Sequence, residues 1–216
     1  MGANGLRFKP TVSEGEIMPR ATKTKDDRIF QLKVTLNGSK PPIWRRVQVR
    51  ADTRLGDLHA ILQAVMGWDD SHLHQFIIKG EYYGVPTDDD FDEMMDEDKF
   101  TLAQVAGSEK SKIVYEYDFG DGWMHDMVVE KILPPDQGFK LPRCVDGKRA
   151  CPPEDCGGLW GFYDLLETVR DPKHPEHDEL SEWLGDEYDP EAFDLDGING
   201  LLSQVHKQPR IWRMLG

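Results

Sequence analysis

Three cysteines, Cys144, Cys151 and Cys156, lie within one short proline- and glycine-rich stretch, "PRCVDGKRACPPEDCGG". Thiolates at such spacings can share one zinc ion, which is normally tetrahedral and would need a fourth ligand from elsewhere in the chain. His125 is one candidate for that position, and His72 or His74 of "HLH" is another. The two-residue spacing of a zinc knuckle is missing, so the same thiols equally suit the packing of a rigid loop. No cysteine sits in a motif that would lower its pKa, which argues against a thiolate nucleophile.

A second constellation combines Asp118, Asp121, Glu154 and Asp155 with His72, His74 and His125. If the loop "PPEDCGG" folds over the turn that carries Asp118 and Asp121, these groups converge as ligands for a hard metal or as a general acid and base. The structural alternative is that Asp118 and Asp121 accept hydrogen bonds from turn amides, while Glu154 and Asp155 complement the start of the next helix. Two further resemblances fail on their surroundings. Asp118-Phe119-Gly120 spells the magnesium-binding tripeptide of protein kinases, but the glycine-rich loop, strand lysine and catalytic loop that must accompany it are missing. "FDLDGING" begins like a calcium loop, yet it places Asn199 where a glycine is obligatory and Val205 where a bidentate glutamate is needed.

These residues need a scaffold, and the hydrophobic periodicity supplies one. Phe30, Leu32, Val34 and Leu36 alternate with polar residues as a half-buried strand, and a second strand runs from Ile43 to Arg50. Leu55, Leu58, Ile61, Leu62, Val65 and Met66 recur at helical spacing, with Asp52 or Thr53 as N-cap and Gly67 as the stop. A third strand covers His72 to Ile78, "EYYGV" continues the sheet, and Thr101 with Gln104 forms a capping box for a short helix. "YEYDFGDGWMHDM" reads as a hairpin turning at Gly120-Asp121-Gly122. From Pro134 to Gly158 the sequence is too punctuated for regular structure. Beyond it three helices are predicted: one around Trp160 to Val169, one around Leu180 to Leu184 ended by Gly185, and one opened by Asp189 and Pro190. The fold class is therefore α+β, a mixed or antiparallel sheet built from hairpins with a C-terminal helical layer; the opening order is similar to the β-grasp arrangement. Residues 1–27 read as a flexible extension, 28–208 as the domain and 209–216 as a tail. Trp44, Trp68, Trp123, Trp160, Tyr82 and Tyr83 suit either the core or a groove between sheet and helices.

Forty acidic residues against twenty-six basic ones give the 216-residue chain a formal charge of −14, which opposes approach to nucleic-acid phosphates. The acid is clustered in Asp88 to Asp98 and in Asp171 to Asp196, solvated faces that also suit a basic protein partner. The arginines Arg45, Arg46, Arg50 and Arg54 are read as the charged outer face of the second strand and the helix start. No run reaches the roughly 20 apolar residues of a membrane span and no secretory signal is evident, so a cytoplasmic protein away from membranes is expected. Three cysteines, an odd number, fit a reducing compartment.

The succession "PPIWRRVQV", "LGDLHAILQAVMGWDDSHLHQF", "YEYDFGDGWMHDMVVEKIL", "CVDGKRACPPEDCGG" and "YDPEAFDLDGIN" resembles the plasmid pRiA4b open-reading-frame-three family from about Arg28 to Gln204. The resemblance implies no defined reaction; some relatives carry labels tied to transposon resolvases or insertion elements. A serine resolvase needs a nucleophilic serine among arginines and a basic helix-turn-helix, and no serine stands among Arg45, Arg46, Arg50 and Arg54. The sequence thus favours a non-catalytic binding or accessory protein linked to mobile elements through a protein partner, without direct duplex DNA binding. The alternative is a metal-dependent enzyme acting on nucleic acid or another phosphoester, with zinc as one candidate metal.

Overall fold

Alternating apolar side chains set the frame. In the computed structural model, which describes residues 26–87, 94–136, 138–185 and 188–205, β1 (Ile29–Leu36) pairs antiparallel with β2 (Trp44–Arg50), with Leu32 opposite Val47. Helix α1 (Leu55–Met66) follows. It buries Leu55, Leu58, Ile61, Leu62 and Val65, and stops at Gly67, whose φ of 83° is the left-handed conformation that glycine adopts without steric cost. Strands β3 (His74–Ile78), β4 (Glu81–Gly84) and β5 (Met94–Asp96) come next, then the short helix α2 (Leu102–Val105). The predicted hairpin is β6 (Lys112–Tyr117) and β7 (Trp123–Leu133). β8 (Arg143–Lys148) and helices α3 (Gly158–Thr168), α4 (His177–Leu184) and α5 (Leu195–Leu202) complete the chain.

The eight strands form one sheet in the order β5-β4-β3-β6-β7-β1-β2-β8. Every pairing is antiparallel except β4 with β5, so the sheet is mixed and the fold α+β. The hairpin-then-helix opening is present, and β1 lies between β2 and β7, antiparallel to both. One face is apolar: Phe30, Leu32, Val47, Val49, Phe76, Tyr115, Tyr117, Trp123 and Met127 are buried in a single core with α1. The other face carries a polar ladder in which Gln48 donates to Gln31 (2.9 Å), Gln31 to Glu130 (3.0 Å), and Arg46 to Glu130 and Asp146. That one-sided division is what antiparallel strands with period-two patterning produce. No helix among the described residues is long and apolar enough to cross a membrane.

Four local expectations change. The stretch from Pro134 to Gly158 contains β8, because β2 is otherwise an edge and its free amides and carbonyls take a partner strand, Val47 opposite Cys144. Helix α1 is capped at Arg54 rather than Asp52 or Thr53; its first amide, Leu55 N, donates to the Phe100 carbonyl at 3.1 Å, so a tertiary contact replaces the side-chain cap. Arg45 does not belong to the outer face. It shares the inward parity of Val47 and Val49, is 3% exposed, and donates to the carbonyls of Val65, Trp44 and Lys148 and to Cys151 Sγ. Those acceptors satisfy a buried guanidinium that would otherwise be costly. Arg46 and Arg50 do face outward, in pairs with Glu130, Asp146, Asp27 and Asp52.

The last helix starts at Asp194, not Asp189, since the Asp194 carboxylate accepts from Gly197 N at 2.9 Å. Asp194→Ala is expected to remove about 1 kcal/mol of stability and lower Tm by about 3 °C in a thermal melt. Asp189, which serves a turn amide of Glu191, is expected to tolerate the same change with a smaller effect. The acidic run Asp88 to Asp98 lies outside the described residues up to position 93, as do positions 1–25 of the extension and the tail 209–216.

Candidate metal centre

The turn between β6 and β7 is organised by one side chain. Asp118 adopts φ 55°, a conformation open to aspartate, and its Oδ1 accepts from Gly120 N (2.9 Å) and Asp121 N (3.3 Å). Asp118 N donates to the Leu73 carbonyl (2.9 Å), which ties the turn to the residues beside His72. Oδ1 is thus committed to the turn, and Oδ2 lies 3.7 Å from His72 Nε2. The segment "PPEDCGG" does fold over this hairpin. Gly157 N donates to Asp121 Oδ2 (3.2 Å), Trp68 Nε1 donates to the Pro152 carbonyl (3.0 Å), and a Cβ on Gly158 would stand 2.4 Å from the Asp121 carbonyl oxygen.

This docking brings three of the sequence candidates together. His72 Nε2 lies 3.0 Å from Asp155 Oδ1 and 3.7 Å from Asp118 Oδ2. One imidazole nitrogen and two carboxylate oxygens therefore sit within 4.8 Å of one another. Nε2 is solvent-inaccessible and makes no contact of hydrogen-bond geometry, even to Asp155. Three mutually facing donors of this kind suit a divalent cation, and Asp155 is the solvent-exposed member of the set.

Glu154, the neighbour of Asp155, does something else. Its carboxyl accepts the Tyr117 hydroxyl and Asp69 N (3.2 Å). Burial, and then the Asp69 carboxyl, push Glu154 above the usual carboxylate range, while hydrogen bonds from Glu154 and then Ser71 hold Asp69 below it. A pair of carboxyls whose affinities for a proton are driven apart is the arrangement that holds a general acid beside a general base.

With this geometry established, comparison with known proteins places the chain. The family model of the plasmid pRiA4b ORF-3-like protein matches residues 28–197. This chain belongs to the plasmid pRiA4b ORF-3-like family. An uncharacterized protein, y4hQ of Sinorhizobium fredii, is 38% identical over 175 residues, covering 79% of this chain and 89% of the relative. The crystal structure of a protein of unknown function, MM3350 from Methanosarcina mazei Go1, matches with a TM-score of 0.71 and 39% identity, over 78% of this chain and 96% of that one. Neither relative's name states an activity, so function in this pRiA4b ORF-3-like chain must be argued from its own residues.

The remaining sequence candidates are placed elsewhere. Asp121 is spent on Gly157 N. His74 is buried and bonded to Glu97 Oε2 at 2.8 Å. His125 is fully buried; its Nδ1 donates to the Trp123 carbonyl (2.9 Å), and its Nε2 has no hydrogen-bond partner. The three cysteines and His125 do not form a ligand set: among the described residues the only converging group of three or more is His72, Asp118 and Asp155. Cys144 donates to the Asp146 carbonyl, Cys151 lies between Arg45 and Met66, and Cys156 donates to the Gly158 carbonyl. Burial raises all three thiols, Cys151 to about 11 and Cys156 to about 12, as packing residues rather than thiolates. The aromatic set divides likewise. Trp68, Trp123 and Tyr83 are core, Trp44 lies under Lys33 and Arg46 on the polar face, and Trp160 is exposed.

One network escapes sequence reading altogether. His59 stacks on His74 with ring centroids 3.4 Å apart and 4° between planes; its Nδ1 meets the Tyr115 hydroxyl (2.8 Å) and its Nε2 meets Asp70 Oδ1 (2.6 Å). Gln63 binds the same hydroxyl and Asp70 N. The available signal was His59 and Gln63 on the apolar stripe of α1, where a polar residue at a core position needs a partner.

Proposed function

We propose that this chain binds one divalent cation through His72, Asp118 and Asp155, and that the site supports metal-assisted hydrolytic chemistry with Asp69 and Glu154 as the adjoining base and acid. The observation that carries this reading is the convergence of Nε2, Oδ2 and Oδ1 around a common point with Nε2 otherwise unbonded. Three protein ligands with open positions are the pattern of catalytic rather than structural sites, since a bound water or substrate oxygen can complete the coordination. The cation would lower the pKa of a bound water, Asp69 could accept its proton, and Glu154 could return one to a leaving group.

A phosphoester or nucleic-acid substrate is less favoured by this environment. Phosphoryl-transfer sites supplement the metal with lysine or arginine, and among the described residues no lysine or arginine forms an ion pair with Asp69, Asp118, Asp121, Glu154 or Asp155. The charge of −14 points the same way for duplex DNA. The non-catalytic accessory role shares the same site and differs only in lacking turnover; a link to mobile elements rests on the family label alone.

The test is equilibrium binding of Mn²⁺ and Zn²⁺ to metal-stripped protein, followed by calorimetry and by manganese paramagnetic resonance. One ion per chain is expected. Asp118→Asn, which preserves the oxygen that serves the turn, and His72→Ala are each expected to weaken binding about a hundredfold or more, beyond the effect of losing an outer contact. Binding unchanged in both variants would remove this site from consideration.

A further inference from the structure

We propose that the outward side of α3 and α4 is a docking surface for a basic, amphipathic polypeptide segment of a partner protein. This inference is independent of the cation site. No residue of α4 is buried. Its apolar side chains Leu180, Trp183 and Leu184 recur at helical spacing, yet Trp183 is 50% exposed. On α3, Phe162, Leu165 and Leu166 enter the core, while Trp160 is 89% exposed in a stripe with the exposed Asp164 and Glu167. An eight-residue helix has little stability of its own in water and gains from being covered. Tryptophan is the residue type that most often dominates interface energies.

Charge selects the partner. From Asp171 to Asp196 there are eleven carboxylates against Lys173 alone, and of the described ones only Glu191 is in an ion pair. A segment with lysine or arginine beside aliphatic side chains satisfies both features at once: its cations meet the carboxylates and the indole faces, and its aliphatic groups cover Trp183 and Trp160. A second copy of this chain fits poorly, because a two-fold contact would set carboxylates against carboxylates.

Titration calorimetry on the full chain tests this with two synthetic helical peptides, one of arginine and leucine in amphipathic pattern and one with glutamate replacing arginine. The arginine peptide is expected to bind, more weakly at high salt, and the glutamate peptide not to bind. Replacing both tryptophans, Trp160→Ala with Trp183→Ala, is expected to weaken binding about tenfold or more, as is Glu179→Lys with Glu182→Lys. Should the double tryptophan variant fail to fold, Trp160→Ala alone, at an almost fully exposed position, replaces it, and a loss of at least about threefold is expected. The proposal is overturned if the arginine peptide does not bind, if it binds the tryptophan variant as tightly as the wild type, or if the free chain self-associates in a manner the tryptophan variant abolishes.

Discussion

Acidification from about pH 6.5 to about pH 4 is expected to remove several kcal/mol of folding stability, enough to bring a domain of typical stability close to unfolding. His59 and His125 carry the effect. Burial lowers both imidazoles from 6.5 to about 4, and for His59 the stacked ring of His74 adds a like-charge penalty that its bond to Asp70 only partly offsets. The folded chain therefore binds fewer protons than the unfolded chain across this window. Their contribution is complete above the unfolded value of 6.5, declines as the pH falls, and is gone near the folded value of about 4. Each residue accounts for about 3 kcal/mol. The Asp69–Glu154 pair changes the balance less, because its two shifts run in opposite directions. Denaturant titrations at a series of pH values measure the slope. His125→Phe, which keeps an aromatic ring against Trp68 and Tyr115 but loses the Nδ1 bond to the Trp123 carbonyl, is expected to reduce that slope by about half at a cost of about 1 kcal/mol near pH 7. A slope unaffected by that substitution would show that these imidazoles do not govern acid stability.

Gly158→Ala is expected to cost about 3 kcal/mol and to weaken cation binding about tenfold. Gly158 has φ 69°, and an added Cβ would lie 2.4 Å from the Asp121 carbonyl oxygen, a backbone atom on the hairpin tip. The methyl group must therefore push "PPEDCGG" off the turn that it covers, which moves Asp155 away from His72 and Asp118. Gly67→Ala isolates the conformational part. Its φ is 83° but nothing lies within 4 Å of its Cβ position, so about 1 kcal/mol and unchanged cation binding are expected. Thermal melts and Mn²⁺ titrations of the two variants, run together, separate strain from displacement. Equal effects in both would refute the role assigned to the loop.

The sequence determined what short-range periodicity can determine. Alternation placed β1, β2, β6 and β7, a 3.6-residue stripe placed α1, and glycine marked the ends of α1 and α4, because these signals come from residues a few positions apart. It also supplied the seven side chains among which the three converging donors are found, since carboxylates and imidazoles at turns are recognisable by type. Tertiary structure decided the rest. β8 exists because β2 offered an unpaired edge, and Arg54 begins α1 because Phe100 supplies a carbonyl from a distant segment. Which candidates meet was settled by tertiary contacts: the docking of one loop on one hairpin joins His72, Asp118 and Asp155 across a separation of more than eighty residues, while His74 pairs with Glu97 and each cysteine has a separate neighbour. No local pattern encodes such a meeting, because it depends on long-range bonds such as Gly157 N to the Asp121 carboxylate and on the absence of a side chain at Gly158. The buried pair His59 and His74 was hidden for the same reason, since a helix position and a strand position become a stacked pair only when the helix lies across the sheet.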